Sequence, residues 1–289
     1  MKFTNVNSFK AKIKNIAKEK GIPAQQIQQN YLIEQVLRLI SKSDYRTSFI
    51  VKGGYLIGNM IGIDKRTTMD LDMTLKGTDL SETTLIDIFE KILGGSDDGF
   101  KFVVDSLKPI RKDDDYGGFE VKINATFDAL REVVFIDVTR GDKITPKEIE
   151  YSVKSIFSGD DIKILSYNLE TVLAEKLETI ISRGEGGTRP RDRYDLFTIW
   201  RLRKDEVNLE VLKEALENTV AKRGTSEEIE NWKLQLEVIR DSDYQKSLWE
   251  RYQRSFKYAV EIGFEESVDA VGVIMDNINV SNDKWGISI

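Results

Sequence analysis

The chain has 289 residues, no cysteine, no histidine and a net charge of −6. That excludes disulfides, thiolate nucleophiles and zinc sites built on cysteine, and it removes the commonest general base and nitrogen ligand. Any metal site must be an oxygen site suited to Mg²⁺, Mn²⁺ or Ca²⁺. Helical spacing predicts helices over 6–20 and 24–41, the second carrying Ile27, Tyr31, Ile33, Leu37 and Ile40. A strand at 49–51 runs into Gly53-Gly54 and a short helix over 54–61. A strand follows at 69–75, then a helix at 84–93 with Ser81 as its cap. Apolar or alternating runs predict strands at 101–110, 119–127 and 132–138, and Lys112–Gly118 reads as a hairpin-like loop between the first two. This order predicts a mixed sheet flanked by helices. Composition shifts after Gly141. The stretch 142–166 reads as a connector with a short strand at 162–165. Helices are expected at 168–183, 191–203, 207–222, 226–240, 244–262 and 265–276. The expected division is a sheet domain over 1–165 and a helical domain over 166–289. No apolar stretch approaches the ~20 residues of a membrane span, and Met1-Lys2-Phe3-Thr4 does not open a signal peptide, so the expected location is cytoplasmic. The net charge argues against wholesale coating of nucleic acid but leaves room for a local basic patch. No long heptad pattern is present, and a monomer is expected.

Three aspartates carry most of the chemistry. Asp70 and Asp72 stand two apart in Arg66-Thr67-Thr68-Met69-Asp70-Leu71-Asp72, and residues i and i+2 of a strand share a face. Two carboxylates so close repel unless a cation lies between them, and Mg²⁺ with substrate phosphates suits that role. Asp137 ends the apolar run Val133-Val134-Phe135-Ile136, where it is either a third ligand or a strand-end residue facing solvent. Upstream, Lys52-Gly53-Gly54 is a turn where backbone can approach a phosphate. Lys176 falls among Leu169, Val172, Leu173, Leu177 and Ile180 on an amphipathic helix. Its stem could simply cover the edge of the core while its head reaches water. Arg189-Pro190-Arg191-Asp192-Arg193-Tyr194-Asp195 starts a helix, where proline and the acids suit the first turn without any functional role. The glycine-rich loop 182–188 lies between these two segments.

Taken together, Lys52-Gly53-Gly54, Arg66 to Asp72, Ala174-Glu175-Lys176-Leu177 and Arg191 to Leu196 resemble the AbiEii/AbiGii toxin family, over roughly residues 45–200. The resemblance implies an α+β, polymerase β-like nucleotidyltransferase fold followed by a helical domain that completes the active-site cleft. It implies the toxin of a two-gene toxin–antitoxin, abortive-infection (phage defence) system. It further implies binding of a nucleoside triphosphate, GTP in some members, and transfer of nucleotides to RNA such as the 3′ end of tRNA. The antitoxin implied has a winged-helix DNA-binding domain and need not form a stable complex with the toxin. Carried over by position, Asp70 and Asp72 would hold Mg²⁺, with Asp137 the candidate third ligand. Gly53 and Gly54 would meet the triphosphate, with Lys52, Arg66, Thr68 and Arg191 as further nucleotide contacts. Lys176 would contact phosphate, and Asp192 or Asp195 would complete the essential set. One departure is Gly53-Gly54 where polymerase β-like enzymes commonly have Gly-Ser, so a serine hydroxyl on the phosphate is lost while backbone N–H groups remain. Two other readings stay open: a nucleotide-binding module that transfers nothing, and transfer to a protein hydroxyl. A basic surface around Lys10, Lys12, Lys14, Arg183, Arg189 and Arg193 would favour RNA.

Overall fold

The computed structural model describes residues 3–93, 99–110 and 117–278. Residues 112–116 of the expected hairpin loop lie outside the described residues. The chain divides into two compact units. One comprises 1–142 with 148–167, the other 143–147 with 168–289.

The first unit opens with α1 (Val6–Lys20) and α2 (Ala24–Lys42), followed by β1 (Phe49–Lys52), α3 (Gly53–Ile61) and β2 (Asp70–Leu75). Then come α4 (Glu82–Leu93), β3 (Lys101–Ile110), β4 (Gly118–Phe127), β5 (Leu130–Arg140), β6 (Ile149–Lys154) and β7 (Asp161–Ser166). The strands form one sheet in the order β3-β4-β5-β2-β1-β7-β6. The pairs β2–β5 and β1–β7 are parallel and the other neighbours antiparallel. Alternation decides which face is dry. Leu71, Met73, Val121, Ile123, Val134, Ile136 and Val138 are fully buried, and each such side chain contributes roughly 1.5–3 kcal/mol. Phe89 of α4 meets Phe49 on this face, ring centroids 5.4 Å apart. On the other face the same strands carry Asp72, Asp137 and Glu120, all half-buried.

The second unit is helical: α5 (Leu169–Arg183), α6 (Pro190–Arg203), α7 (Leu209–Arg223), α8 (Ser226–Glu230), α9 (Trp232–Asp241), α10 (Asp243–Ser255) and α11 (Phe264–Asn277). Residues 143–147 belong here because Thr145 is bound on three sides. Its carbonyl accepts from Asn168 Nδ2 at 2.5 Å, its hydroxyl from Asn218 at 2.9 Å, and its N–H donates to Thr171 Oγ1 at 3.1 Å.

Three local expectations are corrected. The connector holds a second strand, β6, an edge strand whose only buried residue is Val153. The helix expected over 226–240 breaks at Asn231, which caps α8 and leads into α9. The helix expected over 244–262 stops at Ser255. Phe256 turns extended there, and it packs with Tyr258 and Phe264 against Tyr194, Trp249 and Tyr252.

Candidate functional site

Strand register builds one row of charge across the outward face of the first unit. Lys52 of β1 pairs with Asp72 of β2, Asp72 with Asp137 of β5, Asp137 with Glu120 of β4, and Glu120 with Lys108 of β3. Neighbouring strands lie about 4.7–4.9 Å apart and register partners share a face, so Asp72 and Asp137 stand side by side on that face. Asp70 sits one pleat along, exposed, in register with Phe135. The segment leading into Asp70 is tied down from α2. Gln29 Nε2 donates to the carbonyls of Met69 (2.9 Å) and Val133 (3.2 Å).

Gly53 starts α3 against this row. A Cβ placed on it would lie 2.1 Å from Asp72 Oδ2, so only glycine lets the strand–helix turn close over that carboxylate. The turn also needs glycine for its left-handed φ of +66°. A Cβ on Gly54 would lie 3.0 Å from Arg66 Nη2 and 3.1 Å from Thr68 Oγ1. No side chain caps α3, so its first N–H groups are available for an anion. Arg66 is buried and donates to the carbonyl of Thr67. Lys52 is also buried and is already engaged. Its ammonium pairs with Asp142 and donates to Thr139 Oγ1 at 2.7 Å. Asp142 and Thr139 were not singled out from the sequence, and Asp142 lies past the end of the apolar run that drew attention to Asp137.

The remaining candidates belong to the helical unit. Lys176 Nζ on α5 lies 2.7 Å from Asp192 Oδ1 and 2.8 Å from Asp195 Oδ2, both on α6. Asp195 is fully buried. The half-buried lysine is therefore held by two buried carboxylates and does not snorkel to water. Burial pulls its pKa down, but the two carboxylates outweigh it and hold it above the ordinary value. Burial pushes Asp192 up, yet Lys176 first, then Arg191 and Arg189, keep it below the usual carboxylate range. Arg191 and Arg189 are exposed. Arg193, expected on a basic surface, is instead buried. Its guanidinium lies 5.6 Å from the Trp249 ring and 5.3 Å from the Phe264 ring, and Nη1 donates to Gln245 Oε1 at 2.8 Å. Burial lowers its pKa to about 10. Gln245 also donates to the carbonyls of Glu185 and Gly187, so it pins the glycine loop. Nothing in the sequence pattern marked Gln245 for that role.

The carboxylate row fits a hard cation by chemistry. Its donors are all oxygen, and Asp72 and Asp137 are direct neighbours. Among the described residues no three acidic groups converge on one point. That arrangement suits Mg²⁺, which takes one or two protein carboxylates and completes its shell with water and substrate phosphates.

The family model for the nucleotidyl transferase AbiEii toxin, type IV TA system, matches residues 35–271. A solved structure of JHP933 from Helicobacter pylori is similar with a TM-score of 0.53 and 14% identity, over 90% of this chain and 94% of that one. A candidate nucleotidyltransferase from H. pylori aligns over 92% of this chain and 100% of that one, with a TM-score of 0.48 and 13% identity. No curated protein matches the sequence.

Proposed function

The chain belongs to the AbiEii nucleotidyl transferase toxin family of type IV toxin–antitoxin systems, and on that premise we propose that it transfers a nucleotide from a triphosphate, GTP foremost, to RNA, tRNA foremost, and so arrests growth. The observation that carries this reading is the register of Asp72 with Asp137 beside the uncapped start of α3 at Gly53. Asp72 and Asp137 are the proposed protein ligands of one Mg²⁺, with Asp70, one pleat along, left to a second ion. When bound, the ion would neutralise the triphosphate and the charge that develops during transfer. The α3 N–H groups at Gly53 and Gly54, with Arg66 and Thr68, would receive the phosphates. Lys52 would add positive charge at the edge of the row, with Asp142 and Thr139 fixing its ammonium.

Lys176 is the proposed phosphate-contacting lysine of the helical unit, with Arg191 a further nucleotide contact and Asp192 and Asp195 positioning it. The support is the order of motifs along the chain and a cation kept charged by two carboxylates. An operon-encoded winged-helix antitoxin is the proposed partner, acting without a stable complex. Phage defence is the proposed role and the cytoplasm the proposed location.

Expression in growing cells tests the reading. The wild type should stop growth and leave tRNA with extended or blocked 3′ ends, and Asp72→Ala, expressed at equal level, should do neither. A toxic Asp72→Ala chain would end the proposal that these carboxylates do the chemistry.

A further inference from the structure

The two sides of the carboxylate row differ in charge. On the β1 side of Asp72 lie Lys52 with its partner Asp142, the start of α3 and Arg66. On the other side lie Asp137 and Glu120, with Lys108 ending the row. Nucleotidyl transfer is an in-line displacement, so attacking and leaving oxygens stand on opposite sides of the α-phosphorus. A pyrophosphate drawn to the cationic β1 side leaves the β5–β4 side for the incoming hydroxyl.

The outward face of β4 and β5 is what that hydroxyl would meet. Phe135 sits there, with Asp70 as its register partner on β2 and Lys122 on β4. Its neighbours in sequence, Val134 and Ile136, point into the core, so its ring is on the opposite, outward face. The ring is half-buried, and it pairs with no other ring of a described residue. The polar groups around it are already matched to each other. Asp105 accepts from Asn124 Nδ2 at 2.8 Å and lies 2.8 Å from Lys122 Nζ. The side chain of Glu120, one step from Asp137, makes no hydrogen bond or ion pair with a described residue. An outward aromatic ring on a polar sheet face, beside carboxylates, has the form of a stacking platform for a nucleobase.

We propose that the outward face of β4 and β5 is the acceptor subsite, with Phe135 stacking on the terminal base of a single-stranded RNA end. This rests on the reading that the acceptor is RNA. The acceptor's ribose hydroxyl then lies over the row. Its oxygen bonds to the α-phosphorus, the bond from that phosphorus to the bridging oxygen breaks, and pyrophosphate leaves. The hydroxyl proton passes to Asp137 or Glu120.

Steady-state transfer from labelled GTP to deacylated tRNA, and to a single-stranded RNA oligonucleotide, tests the subsite with full-length protein. Phe135→Ala should raise the acceptor KM about 5- to 150-fold, the range one base–aromatic stack supplies, with the KM for GTP unchanged. Phe135→Trp should restore the wild-type value, and Phe135→Leu, which keeps apolar bulk without a ring, should not. An unchanged acceptor KM in Phe135→Ala, equal losses for both substrates, or full rescue by leucine would overturn the platform while leaving nucleotidyl transfer to RNA intact. A wild-type protein that labels a protein and no RNA would overturn the platform together with the RNA reading.

Discussion

Replacing Gly53 by alanine should separate the geometry of the carboxylate row from the stability of the fold. The added Cβ would stand 2.1 Å from Asp72 Oδ2, 2.6 Å from Cγ and 2.8 Å from Cβ. Real Cβ atoms do not approach so closely, so the Asp72 side chain must leave its place or the turn must move. The substitution also puts a side chain at φ +66°, which costs about 1–2 kcal/mol. That is a modest part of the roughly 5–15 kcal/mol that keeps a domain folded. A reacting group displaced by about 1 Å can cost 10²-fold in rate. Gly53→Ala should therefore fold, with a loss of stability near that of Gly21→Ala, and lose transfer at least about 100-fold. Gly21 is the matched control because it has φ +65° at the end of α1 and nothing within 4 Å of its added Cβ. Thermal unfolding by circular dichroism and the transfer rate would be read on both variants. A Gly53→Ala protein with wild-type transfer would refute the claim that this contact sets the Asp72 carboxylate.

Lys176→Met should destabilise the helical unit by about 3–5 kcal/mol, because it leaves the Asp192 and Asp195 carboxylates buried without their cation. The deficit should depend on pH. In the wild type the folded-state pKa of Asp192 is depressed, so its stabilisation is present above the ordinary value of 3.8 and lost as pH falls through the lowered value. The variant lacks that contribution, so denaturant unfolding should show the gap between the two proteins closing as pH falls below 3.8 through the lowered pKa of Asp192, and a constant gap across that range would contradict the pairing. Asp72→Asn should keep or slightly raise the melting temperature, since it removes one of two neighbouring carboxylates. It should also lose the stabilisation that Mg²⁺ gives the wild type, about 2.7 kcal/mol at a hundred times the Kd. Equal Mg²⁺ shifts in both proteins by scanning calorimetry would place the ion elsewhere. Asp142→Asn should cost several kcal/mol by leaving the Lys52 ammonium buried without its carboxylate, and an unchanged denaturation midpoint would show the pair to be dispensable.

The sheet face of the site was legible because strand geometry is periodic. Asp70 and Asp72 share a face by spacing alone, and the apolar run before Asp137 marks a central strand. What spacing does not carry is strand order. The juxtaposition of Asp72 with Asp137, and the place of Glu120 and Phe135 beside them, come from pairings between residues far apart in sequence. β6 was illegible because an edge strand buries little, and Ile149-Glu150-Tyr151-Ser152-Val153-Lys154 shows no apolar run. The break at Asn231 was illegible because the flanking helices share one amphipathic pattern. Arg193 looked like a surface cation in a run of charges, and its burial rests on the rings of Trp249 and Phe264 and the Gln245 amide, all more than fifty residues on. Lys176 was legible as a residue at the edge of the core, but its two carboxylate partners one helix later were not.

The most direct test is transfer by the purified protein. It would be incubated with labelled GTP, ATP, CTP or UTP, Mg²⁺ and total cellular RNA, beside a protein carrying both Asp70→Ala and Asp72→Ala. The account predicts label on a tRNA-sized band with the wild type alone, strongest with GTP and absent when Mg²⁺ is chelated. Nucleotide binding without any transfer to RNA, or equal labelling by the double variant, would contradict it.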